Sequence, residues 1–445
     1  MNGKKKIIVI GGGIAGITAA VELALKGHEI LFLEASNHLG GRSHSIIDKA
    51  TGEVIDNGQH LLMGVYRQFL KVTKVLGTHE QLSKHRPVKI FFAEKNKKII
   101  TYNASFLPGR AGMTWGMMTL KGISLYSKIS AMIFLLKLYF NKIPKNDMSA
   151  YEFLITFNQN KNIIERFWEP LITAVMNCPS KKVASSTFIE VMKQAFFADS
   201  KSSKLILSET GMTNLLAPFP KWLEQRGGKV LFNKTIHNFI IEGNNLKGVI
   251  CKQGIEFLAD AVISAIPPRA LIKIINESKI TDEYFKYLYD LQYSGILTIY
   301  LWFDKPFLKQ DFVSILNASV QWVFNRRNLC YATEDVKEKY PGHLGLTISG
   351  ANEINVLSQE EILKICMKDI RDIFPESANS KLLHWRIIKE RFATIIDSPE
   401  IEDKRLDAVT PYKNFYLAGD WTATGLPATI EGAARSGAKA AELIV

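Results

Sequence analysis

The chain has 445 residues, of which 47% are hydrophobic and 22% charged, which describes a globular protein large enough for two domains with their own cores and excludes a disordered chain. The formal net charge is +13, but the lysines are scattered and no arginine-rich tract or nucleic-acid motif is present, so no nucleic-acid partner is expected and the basicity is read as solubility plus attraction to anionic lipid, about 1 kcal/mol per basic residue near such a surface. No run reaches 18 apolar residues, and Cys178, Cys251, Cys330 and Cys366 make no CxxC or metal spacing, which excludes an ordinary transmembrane helix, a metal site and a disulfide framework and leaves free thiols in a reducing cytoplasm.

The first elements carry the strongest signal. Residues 5–10 are apolar and β-branched, which predicts a buried strand. The spacing Gly11-x-Gly13-x-x-Gly16 follows at once, then an apolar helical pattern over 14–26 ending at Gly27, then a second strand over 29–34 that ends on Glu34. This βαβ opening is a dinucleotide fingerprint. Gly11 permits the tight turn, Gly13 lets a pyrophosphate approach the backbone, and Gly16 lets helix and strand pack closely. The helix start at Ile14 and Ala15 offers unpaired N–H groups to phosphate. Glu34, followed by Ala35, falls where a carboxylate would bond ribose hydroxyls. The opening MNGKKKIIVIGGG has the basic start of a signal peptide, but three glycines cut the apolar run and no small-residue cleavage site follows before Glu22.

Further along, residues 53–67 begin as a strand, turn at Asp56-Asn57-Gly58, and bring Gln59, His60, Tyr66 and Arg67 into an apolar stretch that continues as a helix over 64–76. Strand patterns occur at 90–94 and 97–102. Residues 105–205 read as a helical, aromatic-rich insertion broken at Pro108, Pro144, Pro170 and Pro179, suited to cap an apolar ligand. Within it, residues 129–140 are too short to span a bilayer. Lys128 and Lys137 fall about 180° apart on a helix, which denies the segment a single apolar face, so an interfacial helix and a buried one both remain open. A helix is expected over 211–226, then strands over 229–242, 246–251 and 257–267 forming a meander. The segment 268–400 carries strands at Tyr293–Phe303, 319–325 and 344–350 and a helix near 359–374, together a sheet with helices on one side. The tail has a strand at 415–418 running into Gly419-Asp420, and a helix from about Ile430 rich in small residues.

After Glu34 the sequence continues to Gly40-Gly41-Arg42-Ser43. This second glycine pair and its arginine resemble the extended FAD motif of the flavin amine oxidase and phytoene desaturase superfamily. The resemblance implies an α/β protein with a Rossmann-like FAD-binding domain of the GR2 flavoprotein type and a discontinuous α+β substrate domain with a helical insertion. It divides the chain into an FAD-binding domain (1–76, 205–270 and 400–445) and a substrate-binding domain (77–204 and 271–399). It places Gly41, Arg42 and Ser43 along the pyrophosphate and flavin, where a guanidinium can pair bidentately with phosphate. It puts Ile236 against adenine through its backbone, Gly419 and Asp420 at the ribityl and pyrophosphate region, and the helix start at Ile430 opposite the flavin N1–C2=O edge, where a helix N-terminus stabilises negative charge.

Three stretches, DNGQHLLMGVYR, WEPLITAVMNCPSKKVAS and LAGDWTATGLPATIEGAARSG, narrow the resemblance to the hydroxysqualene dehydroxylases, also described as squalene-associated FAD-dependent desaturases. The middle stretch departs from that pattern where Met176 and Cys178 flank Asn177. The family implies loss of the hydroxyl of a lipophilic C30 allylic alcohol and gain of a hydride, with squalene as product. Hydroxide leaves poorly, so a proton donor is required; His60 is the first candidate and Tyr66 the second. No second GxGxxG is present for a nicotinamide, so the reductant is either NADPH bound transiently or a separate reductase. The expected location is cytoplasmic, peripheral to the inner leaflet of the membrane. A carotenoid desaturase shares every FAD motif, an amine oxidase would want an aromatic cage and a polar pocket, and a flavin-binding scaffold would turn over no isoprenoid.

Overall fold

The computed structural model describes residues 3–444 except 84, 85, 87, 108, 145 and 195–203; the expected break at Pro108 and the end of the helical insertion lie outside the described residues. The chain opens with β1 (Lys6–Ile10), α1 (Ile14–Leu25) and β2 (Glu29–Leu33). A five-stranded, all-parallel sheet is ordered Phe415–Leu417, Ala261–Ser264, β1, β2, Lys229–Leu231. β1 is buried on both faces, as a parallel strand must be. Ile7 and Val9 pack into the layer of α1 and the C-terminal helix Ile430–Glu442, while Ile8 and Ile10 face the layer of an antiparallel meander. Each such fully buried aliphatic contributes about 1.5–3 kcal/mol. The small residues of the C-terminal helix let it close on α1: a side-chain carbon at Gly437 would lie 2.1 Å from the Ala15 carbonyl oxygen.

The predicted strand over 229–242 is two strands. Asn233 takes a left-handed conformation (φ 56°), which turns the chain out of the parallel sheet after Leu231 and starts the meander at Ile236–Glu242. The predicted 257–267 strand likewise divides into Glu256–Leu258 in the meander and Ala261–Ser264 in the parallel sheet. The helix expected over 211–226 is Met212–Leu216 and Phe219–Glu224, because Pro218 and Pro220 lack the N–H groups that would join them. The helix expected over 64–76 begins later, as α2 (Arg67–Val75), since Leu61–Met63 is a strand paired with Leu205–Leu207.

A seven-stranded sheet is ordered Leu382–Ile395, Tyr293–Phe303, Gly342–Ser349, Trp322–Asn325, Phe312–Ile315, Lys89–Ala93, Ile100–Asn103. Its faces alternate with period 2. Leu297, Ile299, Leu301, Val313 and Val323 pack beneath the helix Gln359–Ile373. Phe312, Trp322 and Phe324 point the other way and join the core of the insertion. That insertion includes α3 (Gly109–Thr119) and α4 (Leu125–Tyr139). Pro170 does not end its helix: a π-helical turn over Ile164–Trp168 precedes it and takes up the missing N–H. The helix ends instead on Asn177 in the left-handed region (φ 51°), two residues before Pro179.

Candidate active site

Two loops distant in sequence meet at the carboxyl ends of the parallel strands, where ligands of open α/β sheets bind. The first follows β1. A side-chain carbon at Gly16 would lie 2.0 Å from the Gly11 carbonyl oxygen, so only glycine lets α1 close on the loop; at Gly13 nothing stands within 4 Å of that position. The Gly13 backbone therefore faces open space. α1 has no side-chain cap and no acid in its first turn, which leaves its first N–H groups free for an anion. The Gly40–Gly41 segment lies across this loop, with the Gly40 N–H donating to the Gly12 carbonyl at 2.8 Å. Glu34 closes the end of β2: its carboxylate accepts from the Gly12 N–H and, at 2.6 Å, from the Ser36 N–H. These bonds fix the carboxylate and leave it lone pairs for a ribose.

The second loop comes from the tail. Arg42 donates to Asp420 at 2.5 Å and to the Ala393 carbonyl at 2.9 Å. Burial works against the Arg42 charge, and the Asp420 carboxylate more than restores it, so the pKa rises above the ordinary arginine value. Trp421, next in sequence, is buried and gives its indole N–H to the Ile266 carbonyl at 3.1 Å. The helix that begins at Ile430 is capped by Thr429, which accepts from the Gly432 N–H at 3.1 Å.

Both loops open on one cavity of about 1360 Å³, larger than the ~300–1,000 Å³ of a typical single-ligand site. Of the dinucleotide-binding residues expected from the sequence, Gly11, Gly13, Ile14, Ala15, Glu34, Ala35, Gly41, Arg42, Ser43, Ile236, Gly419, Asp420 and Ile430 all line it; Gly16 packs behind the loop. The uncapped helix start, the bare Gly13 backbone and the Arg42 guanidinium fit a diphosphate, and Glu34 fits the sugar of a bound dinucleotide.

The remaining wall is chemically different. Tyr102, Met113, Phe167, Leu171, Phe312 and Trp322 are among its apolar residues, contributed by the insertion and the near face of the seven-stranded sheet. His60 and Tyr66 line the same cavity. His60 Nε2 stands 3.4 Å from Asn57 Oδ1. Burial draws the His60 pKa below its ordinary value, against the pull of Asp56 and Glu390. Burial, helped by the Glu431 carboxylate, pushes the Tyr66 phenol well up.

Asn57 and Glu390 were not singled out from the sequence. Asn57 is buried and donates to the Arg42 carbonyl at 2.9 Å and to Glu390 Oε1 at 3.2 Å. It thereby ties the arginine loop to the strand Leu382–Ile395. Glu390 is a carboxylate on the cavity wall. The Asp56-Asn57-Gly58 turn could have flagged Asn57; Glu390 sits on a strand whose mixed pattern gives no alternation to read.

The model of the family described as "Flavin containing amine oxidoreductase" matches residues 14–445. A hydroxysqualene dehydroxylase of Sinorhizobium fredii is 27% identical over 99% of this chain and 98% of its own. A 15-cis-phytoene desaturase of Synechococcus elongatus is 25% identical over 99% of this chain and 96% of its own. Among solved structures, a cyclohexylamine oxidase of Brevibacterium oxydans superposes with a TM-score of 0.73 at 13% identity, covering 99% of both chains, a likeness of fold.

Proposed function

The chain belongs to the flavin containing amine oxidoreductase family and is an FAD-dependent oxidoreductase, and from that premise we propose that it reduces hydroxysqualene to squalene with loss of the hydroxyl as water. The observation that carries this reading is the single cavity with two kinds of wall: a dinucleotide cradle continuous with an apolar compartment. The full-length similarity to hydroxysqualene dehydroxylases supports the substrate.

FAD bound in its reduced form supplies a hydride, which with one proton converts R–OH to R–H and water. The protein does the rest. Gly13, the α1 N-terminus and Arg42 hold the diphosphate, and Glu34 holds the ribose. The apolar wall takes the polyprenyl chain and excludes water, which strengthens every electrostatic contact at the reacting carbon. Asn57 Oδ1 accepts from His60 Nε2 and so orients the imidazole. His60 is the proton donor to the departing hydroxyl: its lowered pKa makes the protonated ring a stronger acid than an ordinary histidine. Tyr66, with its raised pKa, stays a neutral O–H and serves as a hydrogen-bond donor. NADPH binding transiently or a separate reductase returns the two electrons.

The test is anaerobic. Reduced protein mixed with hydroxysqualene yields oxidised flavin and squalene in equal amounts. A flavin that stays reduced removes this substrate. The full-length similarity to phytoene desaturase then favours the oxidative reading, for which oxidised protein would desaturate a C40 polyene. Peroxide release on adding amines would instead favour an amine oxidase.

A further inference from the structure

α4 has two apolar faces. Ser130, Ala131, Phe134, Leu135 and Leu138 are buried in the insertion core. On the opposite side Leu125, Ile129, Ile133, Leu136 and the following Phe140 are exposed, each between 48% and 66%. At 100° per residue these five fall within an arc of about 80°. Lys128 and Lys137 lie on the two seams between the faces. Lys128 donates to the Met118 carbonyl at 2.8 Å, and Lys137 sits over the Phe157 ring at 5.3 Å. The lysines that denied the helix a single apolar face mark the boundary between two.

The exposed face is not alone. Phe106 and Trp115 stack at 5.4 Å on the outside of the neighbouring α3 region, and Met118 is exposed beside them. A contiguous set of large exposed apolar residues marks a contact surface. The charge around it is one-sided: residues 99–146 contain six Lys and Arg and no Asp or Glu. Among the described residues, Arg110, Lys121, Lys128, Lys137 and Lys142 have no acidic partner. Their positive charge is therefore available to an anionic surface.

We infer that the exposed face of α4, with the adjoining α3 region, docks the protein on an anionic lipid bilayer. A helix lying in the plane of the interface, apolar face down and lysines at its edges, matches this arrangement. No helix among the described residues is long and apolar enough to cross, so the contact is one-sided. Charge decides against a second copy of the chain as the occupant, since a two-fold contact would set this basic surface against itself. The docking surface is also the outside of the cavity wall: α3 puts Met113 on the cavity and Trp115 two residues later on the exterior. The inference rests on the surface itself and not on the identity of the substrate.

Holoprotein co-sedimented with vesicles tests it. The wild type pellets with phosphatidylglycerol–phosphatidylcholine vesicles, and added salt releases a large share. The I129S/I133S/L136S variant loses at least about tenfold in vesicle partitioning while keeping its flavin, melting temperature and turnover of detergent-dispersed substrate. K121A/K142A weakens binding to the anionic vesicles and leaves the weak binding to pure phosphatidylcholine unchanged. Wild type that stays in the supernatant with both vesicle types overturns the inference, as does a lipid-free dimer that the triple variant converts to monomer. Vesicle binding reads no chemistry, so failure of the hydroxysqualene assay would leave this result standing.

Discussion

Arg42 and Asp420, 378 residues apart in the chain, are paired at 2.5 Å on the wall of the cavity. The pair closes the cradle by joining the second glycine motif to the C-terminal loop. It also means that the proposed diphosphate site is assembled only once both ends of the chain have folded.

Arg42→Ala leaves the buried Asp420 carboxylate without its partner. Truncating one member of such a pair costs about 2–5 kcal/mol, and the partial exposure of Arg42, 34% of its side chain, puts this one at the low end. The expected result is protein that purifies largely without flavin and melts several degrees lower. Asp420→Asn retains shape and one acceptor, so it should keep more flavin than Arg42→Ala. The ratio of flavin to protein absorbance reads both.

His60→Ala should lose about 10²–10⁴ in turnover and keep its flavin, because His60 touches none of the diphosphate-binding groups. The sign of the pH dependence follows from burial. A pKa below 6.5 means that the protonated ring becomes abundant only in acid. Turnover should therefore rise as pH falls below 6.5, and the alanine variant should show a flat profile. Asn57→Ala, which frees the ring and also unties the Arg42 loop, should shift the profile, lower turnover per bound flavin and reduce flavin content.

The elements read correctly from the sequence are those whose residue types are forced by backbone geometry or continuous burial. The glycine spacing, β1, α1 and Tyr293–Phe303 are of this kind. What was hidden depends on partners far away. The strand Leu382–Ile395 interleaves His384, Arg386, Lys389, Glu390 and Arg391 with apolar residues and is half-buried along most of its length. It has no clean alternation, which leaves Glu390 without a local signal. The Arg42–Asp420 pair has no local signal at all. In α4 the periodicity was legible but ambiguous: two lysines on opposite sides suit a buried helix and a two-faced one equally, and only the packing separates them.

Leu171→Trp should shorten the substrates that the protein accepts. Leu171 lies on the apolar wall of the cavity, in the helix Glu169–Met176. An indole there fills space without touching the cradle. The expected outcome is an unchanged flavin spectrum, a KM for hydroxysqualene raised at least about tenfold, and a smaller effect on shorter allylic alcohols. A discrimination of this kind is worth about 1–3 kcal/mol.

Glu431→Ala should destabilise α2 and displace Tyr66. The helix has no cap of its own; its N–H groups at Gln68 and Phe69 donate to the Glu431 carboxylate at 3.2 and 3.1 Å. Loss of an N-cap costs about 0.5–2 kcal/mol. Tyr66 immediately precedes α2, so turnover should fall by more than the loss of stability explains. Glu431→Gln, which keeps one acceptor oxygen, should recover part of both.

His343 should make the protein acid-labile in a window set by its own titration. The ring is fully buried, stacked on Trp302 with centroids 4.3 Å apart. Its Nδ1 is 3.4 Å from Glu53 Oε1 without the alignment of a hydrogen bond, so that carboxylate offsets the burial only in part. Burial therefore dominates and lowers the pKa to about 3. In the unfolded chain the ring titrates near 6.5. Between these values the unfolded state holds one proton more than the folded state. Stability is thus fully present above pH 6.5 and falls as pH drops towards 3, by up to about 1.4 kcal/mol per pH unit. Glu53 adds to the loss only below its unfolded pKa of about 4.5, because His343, Arg327 and Trp302 hold its folded pKa down against the effect of burial. His343→Phe preserves the stacking on Trp302 and removes the titration. Urea midpoints measured from pH 7 to pH 4.5 should fall steeply for the wild type and about one proton less steeply for the variant. Equal slopes would mean that His343 is already protonated in the folded protein and that Glu53 carries the pair.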